Sequence, residues 1–333
     1  MHALARPKSI PIPIPIRPWP RLEHALFAVA AALVSWVAGC DQGPAPGGRA
    51  REGGPPGGAP APGGTVGPNG GSVDRLWFAV TGDTRPGACD ASDLYPRSAI
   101  AEIAASMKAL EVQFALDLGD HMYVCNGSYA EAAQQMGFYT TAIAAGPATF
   151  FMTLGNHDCG SSFARSGARA GCFEESADAN FRAYLAALGR PRPYYAIDVA
   201  TFAGLARFVF VADDAYDAVQ AAWLERTLAD ADARARITVI ARHHPMSGAR
   251  SGNPDIVATI ERHRYALLLS AHLHTYAHGE DHGGRAAIMG LGGAPSALPP
   301  GFATVLQNAD GSLTFTPRDA AGEPIHTAWT VGP

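Results

Sequence analysis

The sequence predicts an α/β domain whose sheets are largely buried, and three observations carry that prediction. Short runs rich in Val, Ile, Phe and Leu recur from Leu76 onward; each closes on a small cluster of Gly, Asp, Asn or His; and helical apolar spacing fills several of the gaps between them. Runs that stay apolar at successive residues fit strands covered on both faces. Strands alternating with helices, then turning β-rich toward the C-terminus, fit an α/β layer architecture.

The segments ahead of that domain differ in composition. Arg6, Lys8, Arg17 and Arg21 precede an apolar run from Ala25 to Ala38 broken only by Ser35, which is short for a membrane span and reads as a signal peptide over residues 1–40. It ends in Val37-Ala38-Gly39-Cys40, which resembles the lipobox of bacterial lipoproteins. That resemblance implies a lipidated Cys40 anchoring an exported chain to a membrane, with the protein periplasmic or at the cell surface. Residues 41–72 are dominated by Gly and Pro and read as a disordered tether. Residues 73–333 are the expected folded domain.

The 333 residues are 47% hydrophobic, enough to bury a full core. A formal charge of -5 with 17% charged residues supplies no basic field, so nucleic acid is not an expected partner. An anionic substrate then needs local positive charge, which bound cations can provide. Beyond Cys40 the chain has Cys89, Cys125, Cys159 and Cys172, an even number suited to an oxidising compartment. Four cysteines allow three pairings. Cys89 with Cys125 and Cys159 with Cys172 is favoured, because each pair would join loops at one end of a sheet; buried free thiols are the alternative.

The expected strands are Leu76 to Thr81, Val112 to Leu118, Thr149 to Leu154, Arg207 to Ala212, Ile237 to Ala241, Tyr265 to Ser270 and Ala286 to Leu291, with two more near Phe302 and Leu313. Helices are expected over Ser98 to Leu110, with Ile100, Ile103, Met107 and Leu110 on one face, and over Val219 to Ala229, with Val219, Trp223 and Leu224.

Ligands of open α/β sheets bind beyond the carboxyl ends of strands. There the chain reads Gly82-Asp83-Thr84-Arg85, Gly119-Asp120-His121-Met122-Tyr123, Gly155-Asn156-His157-Asp158, His243-His244-Pro245 and His272-Leu273-His274. Mixed carboxylate, amide, imidazole and phenolate donors point to transition metals rather than magnesium alone. A carboxylate between two cations can bridge them for two-metal hydrolysis. A single Gly-Asp after a strand is an ordinary turn; five such clusters in this order are a site.

This order resembles the calcineurin-like metallophosphoesterase family: an Asp after the first strand, then GD, GNH[ED], an HHP segment and GHxH. The resemblance spans roughly Leu76 to Pro295 and includes Gln220 to Leu224 and the glycine turn Gly290 to Ala294. It implies a four-layer αββα sandwich of two facing mixed sheets flanked by helices. It further implies that Asp83 and His274 bind one metal, that Asn156, His243 and His272 bind another, and that Asp120 bridges them. Many members carry a histidine where this chain has Arg85, which cannot ligate. Tyr123 matches the tyrosinate position of purple acid phosphatases, the subgroup lacking that histidine. Phenolate favours Fe(III), paired with Zn, Mn or Fe(II), with a Mn or Zn pair as the other possibility. Ala271 departs from the usual Gly of GHxH.

The implied reaction is hydrolysis of a small phosphate ester, a monoester first, with a diester or nucleotide on the same scaffold as the alternative and a non-catalytic surface lipoprotein as the other class. His157 is the expected proton donor, with Asp158 orienting its ring and raising its basicity. Arg85 is placed to grip phosphate oxygens. His244 is expected either to touch substrate or to donate to a backbone carbonyl.

Overall fold

A computed structural model of the chain describes residues 62–159, 172, 179–247, 253–279 and 284–333. The expected signal peptide, Cys40 and the tether up to residue 61 lie outside them.

The first strands correct the domain boundary. Gly64–Gly67 (β1) and Gly70–Val73 (β2) pair antiparallel, and β2 runs parallel to Tyr195–Thr201 (β6) through Gly70 to Ser72. The stretch assigned to the tether as far as residue 72 therefore belongs to the folded domain from Gly64. Composition misled because Gly and Ser bury little surface of their own, whereas backbone pairing to an existing sheet needs no side chain.

Six strands form one sheet in the order β14-β13-β12-β3-β4-β5. They are Trp77–Thr81 (β3), Phe114–Asp117 (β4), Phe150–Met152 (β5), Gly301–Gln307 (β12), Leu313–Asp319 (β13) and Trp329–Val331 (β14). Strands β3, β4 and β5 are parallel, so their carboxyl ends share one edge. The other sheet has eight strands in the order β1-β2-β6-β7-β8-β9-β11-β10. Its remaining members are Gly204–Phe210 (β7), Ile237–Ala241 (β8), Leu267–Ser270 (β9), Tyr276–Gly279 (β10) and Ala286–Met289 (β11). Strands β7, β8 and β9 are parallel and likewise end together.

Alternation along each strand builds the layers. Phe78, Val80, Phe114 and Leu116 of the six-stranded sheet and Phe208, Phe210 and Val239 of the eight-stranded sheet join one buried cluster. The Phe208 ring meets Phe78 and Phe114 edge-on, each at 5.3 Å, and Phe151 lies 5.6 Å from Phe210. The two sheets therefore face each other across an apolar interior. Trp77, Ala79 and Ala115 point the other way, onto Ile103 and Met107 of Arg97–Ala109 (α1). Val209, Val211, Ile240 and Leu268 meet Leu224 and Leu228 of Ala218–Arg234 (α4) and Ile256 and Ile260 of Pro254–Glu261 (α5). The result is the expected αββα sandwich.

Two further helices, Tyr129–Ile143 (α2) and Ala179–Leu188 (α3), pack with Met122, Val124, Leu154, Cys159 and Cys172 into a separate cluster. They floor the loops that leave β4 and β5. Helix α2 opens on an N-cap, with the Ser128 hydroxyl accepting from the Glu131 amide at 3.2 Å. In α4, Leu224 is buried but Val219 is exposed, so the apolar face turns through Leu224, Leu228 and Ala231 rather than through Val219. Gln220 is the buried residue at the start of that helix. Its side chain bonds the Ala212 amide and the Ala212 and Ala215 carbonyls, tying α4 to the loop after β7.

Disulfides join Cys89 to Cys125 and Cys159 to Cys172, the favoured pairing. The first ties the loop after β3 to the loop after β4. The second joins Cys159, two residues beyond His157, to Cys172.

Candidate metal centre

Each predicted ligand sits just past a strand: Asp83 after β3, Asp120 and Tyr123 after β4, Asn156 after β5, His243 after β8, and His272 and His274 after β9. Because β3, β4 and β5 end together and β8 and β9 end together, the topology gathers all seven on one rim of the sandwich. The backbone there is strained. Asp83, Asp120, His272 and His274 have φ of 59°, 63°, 70° and 49°, in the left-handed region, and they are four of only six such non-glycine residues among those described. Each costs on the order of 1–3 kcal/mol, which persists only where surrounding structure imposes it. Here the imposing bonds are Asp83 N–H to Gly119 O, Thr84 N–H to Asp120 O and Ala294 N–H to Asp83 O, all 2.8–3.0 Å.

On one side of the site, Asn156 Oδ1 lies 3.1 Å from His243 Nε2 and 2.9 Å from His272 Nδ1, and the two imidazole nitrogens are 3.2 Å apart. Donors about 2.0–2.1 Å from a tetrahedral cation stand about 3.3 Å from one another, so this triangle has the size of a ligand face. The Leu118 carbonyl, 2.7 Å from His243 Nδ1, accepts a hydrogen bond from it and directs Nε2 into the site. The Pro295 carbonyl, 2.8 Å from His274 Nδ1, does the same for His274.

Asp83, Asp120 and His243 each place a donor atom within 4.8 Å of the others, and all three are buried. Neither Asp83 oxygen has a hydrogen-bond partner among the described residues. A Cβ on Gly290 would overlap Asp83 Oδ2, so glycine is required for the carboxylate to lie where it does. Burial pushes the Asp83 carboxyl up to about 6, with the Asp120 charge adding to it. Asp120 goes the other way: burial opposes its charge, but His243, His157 and Arg85 outweigh burial and hold it well below the usual carboxylate range. At His243 burial favours the neutral ring, while Asp120 and Asp83 prevail and raise it to about 10. An unpartnered buried carboxylate beside a second one, ringed by imidazole nitrogens, fits a cation site, and loading it must release protons.

The opposite side is built around Arg85. Its Nε is 3.2 Å from Asp120 Oδ2, its Nη2 is 3.2 Å from His274 Nε2, and its guanidinium lies 4.7 Å above the Tyr123 ring. Asp120 thus divides its oxygens. Oδ1 accepts from the His157 amide and faces His243 at 3.4 Å, while Oδ2 faces Arg85. His274 Nε2 is also 3.7 Å from Asp83 Oδ1.

The structure corrects the expected partnership of His157 and Asp158. Asp158 is buried, and its oxygens accept from the amides of Asp120, His121 and Gly155 at 2.9–3.0 Å; Oδ2 also faces His121 Nδ1 at 2.9 Å. It holds the Asp120 loop and does not orient His157. His121 is fully buried, with Asp117 Oδ1 3.2 Å from its other nitrogen. Burial favours the neutral form there too, but Asp158 and Asp117 outweigh it and raise the ring to about 10. His157, instead of becoming more basic, is lowered by burial to about 4. Its ring lies 4.1 Å from Tyr123, with Nε2 3.9 Å from Asp120 Oδ2.

His244 pairs with Asp214 at 2.9 Å, and its ring stands 4.3 Å from that of His272. A buried Arg242–Asp213 ion pair braces the same two loops. Sequence reasoning missed this pair, Asp117 and the structural use of His121, because nothing in their local spacing marks them. Ala271, the departure from GHxH, packs in the inter-sheet core and is not among the left-handed residues, so its methyl group is accommodated.

The calcineurin-like phosphoesterase family profile matches residues 76–276, and the chain belongs to that family. Its fold is similar to a purple acid phosphatase from yellow lupin (Lupinus luteus), with a TM-score of 0.56 at 17% identity over 77% of this chain. The match spans 53% of the lupin chain, so this protein corresponds to about half of that structure. It is also similar to a dimetal phosphatase from Danio rerio, with a TM-score of 0.52 at 14% identity over 77% of this chain and 98% of that one. A Plasmodium protein described as the anchor in the inner membrane complex has the same fold, with a TM-score of 0.55 at 14% identity over 78% of this chain and 89% of that one. No curated protein matches the chain.

Two predictions follow from this charge arrangement. Between about pH 4, where an unfolded Asp deprotonates, and about pH 6, where Asp83 does, the folded state binds more protons, so this group's contribution to stability falls as pH rises. Asp83→Asn, at a φ that Asn tolerates, should therefore melt higher than wild type at pH 7 with chelator present, and the gap should close near pH 4. With cations added the order should reverse; an identical melting temperature in chelator at pH 7 would remove the charge argument. Asp158→Asn should weaken cation binding by about 10- to 100-fold, read by calorimetric titration, and unchanged affinity would detach Asp158 from the Asp120 loop.

Proposed function

We propose that the protein is a dinuclear-metal phosphoric ester hydrolase acting on small phosphomonoesters. The observation that carries the reading is the buried Asp83–Asp120 pair, the Asp83 oxygens without a hydrogen bond among the described residues, set between the imidazoles of His243 and His274. A site decayed to a scaffold would have no reason to keep such charge buried. The fold shared with the Plasmodium anchor protein decides nothing here, since folds host many functions.

Asp83, Tyr123 and His274 would hold one cation, Asn156, His243 and His272 the other, with Asp120 between them. Two such cations supply Lewis-acid charge against the phosphoryl oxygens and activate water. Tyr123 supports Fe(III) in the first position with Zn, Mn or Fe(II) in the second, and a Mn or Zn pair is the alternative. Arg85 and its planar fork suit two phosphate oxygens. His157 stands at the rim of the site and would present its ring to the leaving oxygen. Burial keeps it neutral at neutral pH, so as a proton donor it works best in acid, and turnover should decline as pH rises. We assign His244, held by Asp214, to orienting His272.

The match of Tyr123 to the tyrosinate position of purple acid phosphatases supports a monoester ahead of a diester or nucleotide. Hydrolysis of an aryl phosphate monoester and of the matching diester by the metal-loaded chain tests this. Monoester turnover should dominate, vanish with chelator and return with metal; a preference for the diester, or no turnover in a fully loaded chain, would overturn it. His157→Ala should lower kcat by about 10²–10⁴ with metal content unchanged.

Export and lipid anchoring at Cys40 rest on the leader composition and its resemblance to a lipobox. No helix among the described residues is long and apolar enough to cross a membrane. Labelled palmitate should enter the chain in a bacterial host and be lost in Cys40→Ala; equal labelling of the two would refute the anchor.

A further inference from the structure

The residues assigned to the two cations are not treated alike by the rest of the chain. Asn156, His243 and His272 meet one another directly. Asp120 Oδ2, His274 and the Tyr123 ring meet Arg85 instead. A guanidinium, a group that carries positive charge at every working pH, thus fills the space among the donors of the first position.

We infer that Arg85 is an internal competitor for the first cation, which binds only by displacing its guanidinium from Asp120 and His274. The imidazole decides the point. His274 Nδ1 is 2.8 Å from the Pro295 carbonyl, which can only accept, so Nδ1 carries the proton and Nε2 has a single lone pair. That lone pair receives Arg85 Nη2 at 3.2 Å. One lone pair serves an N–H or a metal, not both. Asp120 Oδ2 has capacity for more than one partner, but a cation beside the same fork would meet a fixed positive charge at close range. Arg85 is also tethered on its own side, its Nη1 donating to the Pro86 carbonyl at 3.0 Å. No described contact joins Arg85 to Asn156, His243 or His272, so this guanidinium opposes the first position and not the second.

Three consequences follow. The two positions differ in affinity, the first being weaker and more readily exchanged. When the cation enters, the fork is released at the edge of the site with its donors free for phosphate oxygens. Arg85 also keeps the Asp120–His274 face assembled before loading, which an unpaired pair of donors would not do.

The inference rests on the dinuclear reading above, but its test does not use turnover. The full chain, stripped with chelator, is titrated with Zn(II) by calorimetry and the bound metal counted. Wild type should take up two equivalents whose dissociation constants differ at least tenfold. Arg85→Met, which keeps the stem and removes the donors, should tighten the weaker constant tenfold or more and leave the tighter one within twofold. Adding His274→Ala to Arg85→Met should abolish that gain. Arg85→Gln, a milder change that also removes the charge, should tighten the weaker constant in the same direction and guards against misfolding of the first variant. Two equally tight equivalents in wild type, or a weaker constant unmoved in both Arg85 variants, would overturn the inference. A chain that hydrolyses phosphate esters yet shows no effect of Arg85 refutes only this competition. A chain that binds as described yet hydrolyses nothing refutes only the proposed function.

Discussion

Two carboxylates, Asp83 and Asp120, are buried side by side where the strands of two sheets end, and the rest of the site exists to make that arrangement tolerable. Removing one carboxylate from water is expensive, and placing a second within reach of it more so. The chain meets part of the cost with its own cations. Arg85 and His243 lie against Asp120, and their charge keeps it ionised. The Asp83 oxygens have no hydrogen bond among the described residues, and burial leaves the group easier to protonate than an ordinary carboxylate. That residual imbalance is what a metal ion would correct, and it explains why loading and protonation must be linked.

The scaffold beneath is built for rigidity. Left-handed backbone at Asp83, Asp120, His272 and His274 holds the donors at angles ordinary turns would not give. Asp158, through three backbone amides and His121, fixes the loop that carries Asp120. Two disulfides tie the loops bearing Arg85, Tyr123 and His157. Loss of any of these should loosen the site before it loosens the fold, because the inter-sheet core of Phe78, Phe114 and Phe208 lies apart from them.

Most of this was legible in the sequence, and for an identifiable reason. Strands buried on both faces announce themselves as continuous apolar runs, as Trp77–Thr81 and Ile237–Ala241 do, and their ends mark where ligands belong. What escaped notice had no period to betray it. Strands β1 and β2 are made of Gly, Ser, Thr and Val and look like a linker. Helix α2 is marked locally only by its N-cap, Ser128. Asp158 was assigned to its neighbour in sequence, His157, although its carboxylate turns inward to His121. Arg85 was recognised as unable to ligate, but only the folded chain shows its fork between Asp120 and His274. Adjacency along the chain says little about direction in space, and direction decides the chemistry of a charged side chain.

As proposed, these side chains converge to hold metal at the Asp83–Asp120 pair. The direct measurement is anomalous X-ray scattering from crystals of the protein loaded with Zn(II) or Mn(II). The account predicts a peak within bonding distance of Asn156, His243 and His272, and a second, bridged to it by Asp120, beside Asp83 and His274. Loaded crystals with no peak within bonding distance of Asp120 would contradict it.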